Sequence, residues 1–408
     1  MSGIEFRRAM EGDAAEALRV MAQAFGRAPG SEKYERDRER IAREIDAHWV
    51  LVREGEIVGA VHVRREEIQV GRSIVTKADV GEVSIAPGCQ GEGLGTALMQ
   101  MTVEQLRADG YPLSRLGGYR RFYERFGWVP FPRGYVDFAL GGLTSRGGFT
   151  DPVSYLDRPE EDARIRAYDG RRDAAACEAL YAAFNAGRTG AAPARSSGAG
   201  AGNPWRVVYE VGGAVRAYVF ASQNAPPHTR FSTAVSISDG ACDLGDTRPL
   251  GATLRYILRQ AAIAGAESVR ARLPLDPSLY DLYRDSSCGF VPSLWLSSEG
   301  GNMLQVLSLK GLLEAIAAEL TERLRTAKQA TGEVGLRVRG ETVGLAWDGE
   351  RVTVGEGKGD WVELGQDGVM KIVLGLVPVE QVVEGERGDV AMLRAAFPVQ
   401  GTATGVWG

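Results

Sequence analysis

Histidine is almost missing from this 408-residue chain, where His48, His62 and His228 are the whole supply. Three scattered imidazoles leave little material for a histidine-rich metal centre or a histidine-based nucleophilic triad, so no metal is expected. Cysteine is nearly as scarce. Cys89, Cys177, Cys242 and Cys288 follow no paired metal spacing, and a chain this long is no small secreted scaffold, so a reducing cytoplasm is the expected setting. No stretch reaches the ~18 consecutive apolar residues of a membrane span, and the first 18 residues carry charge in every turn, which excludes a signal-peptide reading. Nor does either sign of charge dominate. The 48 basic and 53 acidic residues are interspersed to a net charge of -5, which leaves no basic stripe for nucleic acid or for a membrane surface and tolerates a cationic small substrate.

What is present is a glycine-rich globular composition: 53 glycines, 44% hydrophobic and 25% charged residues. The length predicts two or three domains. An internal repeat supplies the first division. Trp49-Val50-Leu51-Val52 through Gly59-Ala60-Val61-His62-Val63 reads as two strands around a turn at Glu54-Gly55, and Trp205-Arg206-Val207-Val208 through Ala217-Tyr218-Val219-Phe220 repeats it. Trp205 lies 156 residues beyond Trp49, and Leu250 lies 156 beyond Leu94; each of those leucines opens an apolar helical face. A helix precedes each copy, one carrying Leu18, Met21 and Phe25 and the other Cys177, Leu180, Tyr181 and Phe184. The copies close alike, on Phe126-Gly127-Trp128-Val129-Pro130 and Cys288-Gly289-Phe290-Val291-Pro292. Between them Phe149 to Pro159 reads as a connector, and the Gly, Ala and Ser of Arg188 to Asn203 predict a mobile loop. From about Met303 the pattern changes to a helix over Leu312–Leu324, strands near Val334–Val338, Thr342–Trp347 and Arg351–Val354, and two helices near Met370–Leu376 and Val379–Val383 that precede Ala391–Phe397. That is a small α+β domain of roughly 100 residues.

The sharpest local signal is Val83-Ser84-Ile85-Ala86-Pro87-Gly88-Cys89-Gln90-Gly91-Glu92-Gly93-Leu94-Gly95-Thr96, a strand, a glycine-rich turn and a helix start. Glycines at 91, 93 and 95 let the main chain approach a ligand, and the first helical turn offers unpaired amides at a positive dipole end, which suits a pyrophosphate. Glu92 must then point outward. The turn lacks the Gly-Lys-Ser/Thr ending of a P-loop, and two strands and a long helix come before it, unlike a dinucleotide fold. In the second copy, Gln90, Gly91, Glu92 and Gly93 become Asp246, Thr247, Arg248 and Pro249; proline removes an amide and the carboxylate would face phosphates, so one cofactor site is expected.

This stretch resembles motif A of the GNAT N-acetyltransferase superfamily, Gln/Arg-x-x-Gly-x-Gly/Ala, met here by Gln90, Gly93 and Gly95. The order of the whole chain, a GNAT unit, a degenerate second one and a small last domain, is similar to the Eis-like (enhanced intracellular survival) acetyltransferases, whose third domain resembles a sterol carrier protein. The implied fold is α+β with mixed sheets: a GNAT domain at 1–148, a second, cofactor-free GNAT domain at 149–300, and a sterol-carrier-like domain at 301–408. The implied activity is transfer of acetyl from acetyl-CoA, as co-substrate, to a small-molecule primary amine such as an aminoglycoside or another polyamine, in a cytoplasmic homo-oligomer, commonly a hexamer. By the same resemblance Val83, Ser84 and Ile85 pair with the pantetheine arm, while Gln90, Gly91, Glu92, Gly93, Leu94, Gly95 and Thr96 surround the pyrophosphate.

Within Phe122-Tyr123-Glu124-Arg125-Phe126-Gly127-Trp128, Tyr123 falls on the family's general-acid position, and Gly118 and Tyr119 are candidates for lining the cofactor channel. The family uses its C-terminal carboxylate as the base; here that group belongs to Gly408, behind Trp407, where the family is expected to end on an aromatic residue. Glu32, Glu35 and Asp37 are the carboxylates that could hold ammonium groups of a substrate. Two other readings stay open. Tandem GNAT units also occur in aminoacyl-tRNA-dependent peptidoglycan transferases, and the last domain could carry lipid or acyl-CoA with the GNAT halves as scaffold. Cys89 as a nucleophile has no histidine near it in sequence.

Overall fold

The computed structural model describes residues 3–140, 142–143, 149–226, 233–357, 361–385 and 390–400. The chain opens with β1 (Ile4–Arg8), α1 (Ala14–Ala24) and α2 (Glu32–Arg43), then β2 (His48–Arg53), β3 (Glu56–Val70) and β4 (Ser73–Ile85). Helix α3 (Leu94–Ala108) crosses over to β5 (Leu113–Tyr119), and α4 (Arg120–Tyr123), β6 (Val129–Pro130) and β7 (Arg133–Ala139) follow. The apolar run of β2 is buried on both faces, because α1 and α2 cover one side of the sheet and α3 the other. Serine 31 caps α2 by accepting from the Tyr34 amide.

A short ribbon of β8 (Gly142–Leu143) and β9 (Phe149–Thr150) and two single-turn helices, α5 (Pro152–Tyr155) and α6 (Pro159–Asp162), occupy the expected connector. The second unit then runs β10 (Ile165–Ala167), α7 (Gly170–Asn185), β11 (Arg206–Val211), β12 (Ala214–Gln223), β13 (Val235–Cys242), α8 (Arg248–Ile263) and β14 (Ser268–Ala271). It closes with α9 (Tyr280–Asp285), β15 (Gly289–Trp295) and β16 (Gly300–Val306). In both units one parallel pair, β4 with β5 and β13 with β14, follows an antiparallel run.

The two sheets exchange strands. Their orders are β1-β2-β3-β4-β5-β16-β6 and β10-β11-β12-β13-β14-β7-β15, so β7 lies in the second sheet and β16 in the first. Strand β16 pairs with β5 over seven residues, Gly300 with Tyr119 through Val306 with Leu113. A division of the sequence at 148/149 and 300/301 therefore does not divide the sheets, and residue 300 is the first residue of β16.

The last unit is α10 (Leu309–Thr326), β17 (Gly332–Val338), β18 (Glu341–Trp347), β19 (Val352–Glu356), β20 (Trp361–Leu364), α11 (Gln366–Val373), β21 (Val383–Gly385) and α12 (Val390–Ala396). Its five-stranded sheet has the order β19-β18-β17-β20-β21. Where the sequence predicts a helix over Val379–Val383, the chain makes one 3-10 turn at Val379–Gln381 and enters β21, since pairing with β20 outweighs local propensity. The interior is filled by Leu312, Leu313, Ile316, Leu320 and Phe397, and continues into Ile68, Val70, Val75 and Leu113 of the first sheet.

The loop expected to be mobile, Arg188–Asn203, is docked instead. Amide Gln69 donates to the Ala191 carbonyl at 2.7 Å, Gly190 to the Gln69 carbonyl at 2.8 Å, and Gly71 to Thr189 Oγ1 at 2.8 Å. Small residues there let two backbones meet, which composition alone reads as freedom.

Candidate active site

Strand β4 and its neighbour part company. Parallel pairing of β4 with β5 runs from Lys77–Leu113 to Val80–Leu116 and stops, although β5 continues to Tyr119 and β4 to Ile85. At the same level the antiparallel partner β3 slips register between Ala60 and His62, and Glu82 adopts φ 52°, the left-handed region that non-glycine residues avoid. A bulge there turns the end of β4 away from β5 and opens a cavity of about 820 Å³. An opening of that size suits an extended small-molecule ligand.

Ion pairs hold the strained residue. Glu82 accepts from Arg40 Nη2 at 2.5 Å and from Arg27 Nη1 at 3.0 Å. Burial works to raise its carboxyl, but the guanidiniums of Arg40 and Arg27 hold it below the ordinary carboxylate range. Arg40 also donates to His62 Nδ1 at 3.0 Å, and His62 stacks on His48 with ring centroids 4.3 Å apart. Arginine can only donate, so the proton of a neutral His62 sits on Nε2. His48, His62 and Glu82 present ligand atoms within 4.8 Å of one another, as a metal set would. His62 Nδ1 and Glu82 are nonetheless spent on arginine and His48 Nδ1 on the Glu44 carbonyl, and a second cation at that point would face Arg40.

Burial, with help from His48 and Arg40, pushes the His62 imidazole down to about 4. An unfolded histidine takes its proton near ~6.5. Below that pH the unfolded chain binds a proton that the folded one refuses, so this contribution to stability is complete above ~6.5 and is lost as pH falls toward 4. Urea unfolding should therefore show falling stability between pH 7 and pH 5, and His62→Gln, which still accepts from Arg40, should make that slope shallower. An unchanged slope in the variant would remove His62 from the account.

From Ile85 the chain passes through a 3-10 turn at Pro87–Cys89 into Gln90, Gly91 and Gly93. Gly91 has φ 85° and Gly93, the N-cap of α3, φ 83°, values that a β-carbon would strain. Left-handed residues on either side of Glu92 turn successive amides inward, the arrangement of an anion nest, and α3 adds its N-terminal dipole. Of the sequence candidates, Val83, Ser84, Ile85, Gln90, Gly91, Gly93, Gly95, Thr96, Gly118, Tyr119 and Tyr123 line this one cavity. Glu92 and Leu94 do not. Glu92 turns out to Arg53 Nη1 at 2.5 Å, and Leu94, 3% exposed, belongs to the core under α3. Gly408 lies outside the described residues. Cys89 is on the cavity wall with Arg53 Nη2 3.1 Å from its sulfur.

Tyr123 stands across from the loop. Its ring packs edge-on against Phe122 and Trp128, and burial pushes its hydroxyl up to about 12. A β-carbon on Gly118 would come within 2.1 Å of that ring, so glycine at 118 makes room for it. Tyr119, by contrast, is 79% exposed at the cavity mouth. Sequence reasoning missed the other wall, Ala24 and Phe25 at the end of α1 and Glu82 in the bulge. Only an acidic residue within an otherwise apolar strand end hinted at the last.

The acidic stretch before β2 is neutralised. Asp37 pairs with Arg27 and Arg40, Glu35 with Arg38, and Glu32 approaches Arg36. At the second copy's equivalent turn, Asp246 pairs with Arg248 and accepts from its amide, Pro249 follows, and no residue from Asp243 to Gly251 has positive φ. That helix start keeps its amides occupied.

Residues 5–131 match the family model of the acetyltransferase (GNAT) domain. The N-terminal third has the GNAT fold. No curated protein matches the sequence. Over the full length the structure is similar to a GCN5-related N-acetyltransferase from Kribbella flavida, at 17% identity and TM-score 0.66, with 98% of this chain and 97% of that chain covered. It is similar to a probable N-acyltransferase from Enterococcus faecalis, at 13% identity and TM-score 0.70 over 99% of both. Eis1 from Mycobacterium abscessus is a further likeness, at 16% identity and TM-score 0.58 over 99% of this chain and 98% of that one. The GNAT domain uses acetyl-CoA, and the positive-φ glycines at the start of α3, the parted edge of β4 and the volume of the cavity fit that molecule. Among the described residues no helix is long and apolar enough to cross a membrane.

Proposed function

We propose that the chain is an acetyl-CoA-dependent N-acetyltransferase acting on a small-molecule primary amine, with its one donor site in the first of two tandem GNAT units. The observation that carries this reading is the parting of β4 from β5 beside two positive-φ glycines, with Tyr123 lining the same cavity. The amides of Gly91 to Thr96 would hold the pyrophosphate and the free edge of Val83 to Ile85 the pantetheine arm. Bound there, acetyl-CoA supplies an activated acyl group to the amine.

Tyr123 keeps its proton at neutral pH, with its hydroxyl near 12. A thiol titrates near ~8.5, so complete transfer from Tyr123 to a departing thiolate would be uphill by roughly 5 kcal/mol. Its service is therefore a hydrogen bond to the sulfur as charge develops there, a form of preorganised stabilisation.

The base in this reading is the C-terminal carboxylate of Gly408. Gln400 shares a hydrogen bond with Thr189, which in turn accepts from the Gly71 amide at the far end of the β3–β4 hairpin. Deleting Trp407 and Gly408 should collapse turnover and leave acetyl-CoA binding intact; undiminished activity in the shortened chain would exclude the role. Calorimetry with acetyl-CoA, followed by coenzyme A release across a panel of amines, tests the function as a whole. Absence of heat from the folded protein at millimolar coenzyme A would overturn it.

A further inference from the structure

A second hollow, of about 720 Å³, lies where β3 of the first sheet faces the second unit. Arg64 and Arg65 line it from β3; Tyr181, Arg195 and Arg272 line it from the other side. Of its two carboxylates, Glu66 is already committed. Glu66 takes Lys77 at 2.5 Å and Arg64 at 3.0 Å, while Asp79 behind it takes Arg115 at 3.1 Å and Arg64 at 3.3 Å. Three cations thus surround two buried or half-buried acids, which leaves Glu67 as the exposed acid of the hollow.

The opposite wall is more one-sided. Arg195 lies 3.7 Å from Asp239, yet that carboxyl accepts from Tyr218 at 2.9 Å and burial raises it, which weakens its hold on a cation. Burial presses the Arg272 guanidinium below its ordinary value, and Arg133, Arg195 and Arg115 add like charge beside it. Arginines gathered in a partly enclosed hollow of an acidic protein concentrate positive potential there. Their planar forks match a carboxylate or a phosphate.

We propose that this inter-sheet hollow binds the carboxylate or phosphate group of a small molecule, held by Arg195, Arg272 and Arg64. The ion pairs behind the hollow, Arg64 to Asp79 to Arg115, also run toward the parted strands. Arg115 and Gly117 share one face of β5, as Asp79 and Gly81 share one face of β4, and a two-residue step along a strand is ~6.6 Å. The anion is thus either the tail of the acetyl acceptor itself, a source that rests on the acetyl-transfer reading, or a separate effector; the arginine site is the same for both.

Titration calorimetry of the full chain with succinate and with inorganic phosphate tests the site, run with and without saturating coenzyme A so that the loop before α3 is covered in one series. Saturable binding is expected in both series, weakened about tenfold by Arg195→Gln and by Arg272→Gln. Arg195 is 40% exposed in its side chain, so its replacement should leave the melting curve in place even if the half-buried Arg272 variant misfolds. No saturable heat up to tens of millimolar, or affinity unchanged in a folded Arg195→Gln, overturns the proposal. Because this measurement needs no acetyl transfer, it succeeds or fails apart from the catalytic reading. Steady-state rates then separate the sources: competition between succinate and the amine assigns the anion to the acceptor, and noncompetitive inhibition assigns it to an effector.

Discussion

A chain cut after Leu140 is expected to be insoluble or molten and to bind no acetyl-CoA, although it contains every residue that the family model matches. Strand exchange is the reason. The shortened chain would lack β16, whose Met303, Leu304 and Val306 are at most 5% exposed and pair or pack along β5, the inner wall of the cavity. It would also carry β7 with nothing to enter, leaving Val136 and Phe138, both fully buried in the second core, in water. Five such side chains at ~1.5–3 kcal/mol each represent on the order of 10 kcal/mol. That is comparable to the whole stability of a typical domain, ~5–15 kcal/mol. Far- and near-ultraviolet circular dichroism on the fragment, with coenzyme A calorimetry beside it, decides the matter. A cooperative melt together with cofactor binding would show that the first sheet closes without its borrowed strand.

The glycine-rich turn before α3 was legible because its backbone constraint is local. Glycines at 91 and 93 announce positive φ, and the structure puts both there, with Glu92 turned to Arg53 between them. The strands β2 and β11 and the helices α3 and α8 were legible for a similar reason, since their apolar spacing is local. What escaped depends on partners distant in sequence. No period in Arg133–Ala139 says that it pairs with Ser268–Ala271 and Gly289–Trp295 rather than with its own unit. Strand β20 is four residues long, too short to show alternation, and is fixed by β17 and β21 on either side of it. Glu82 is the instructive case at the site. A glutamate with positive φ looks wrong in isolation, and its cause is two arginines, one beyond the end of α1 and one on α2, 55 and 42 residues away.

Replacing Gly118 by alanine should damage catalysis as severely as touching Tyr123 itself. The added β-carbon would lie 2.1 Å from Cε2 and 2.7 Å from Cδ2 of Tyr123, distances no pair of carbons tolerates, so the ring or β5 must move. Strand β5 is the stiffer of the two. Gly300 holds it from the other side, where a β-carbon would meet the Gly118 carbonyl at 2.1 Å, and β16 is paired along its whole length. The ring must therefore swing from its place between Phe122 and Trp128, and the hydroxyl moves by an ångström or more from where the proposed reaction needs it. Displacement of that size in an oriented group lowers kcat/KM about a hundredfold, close to the loss expected for Tyr123→Phe. Overpacking should also cost about 1–3 kcal/mol of stability. A double-mutant cycle separates cause from coincidence. In a Tyr123→Ala background the new methyl group has room, so Gly118→Ala should then cost almost nothing in stability or in rate, whereas unrelated sites would give additive losses. Additivity, or full activity in Gly118→Ala alone, would mean that this glycine serves the strand and not the hydroxyl.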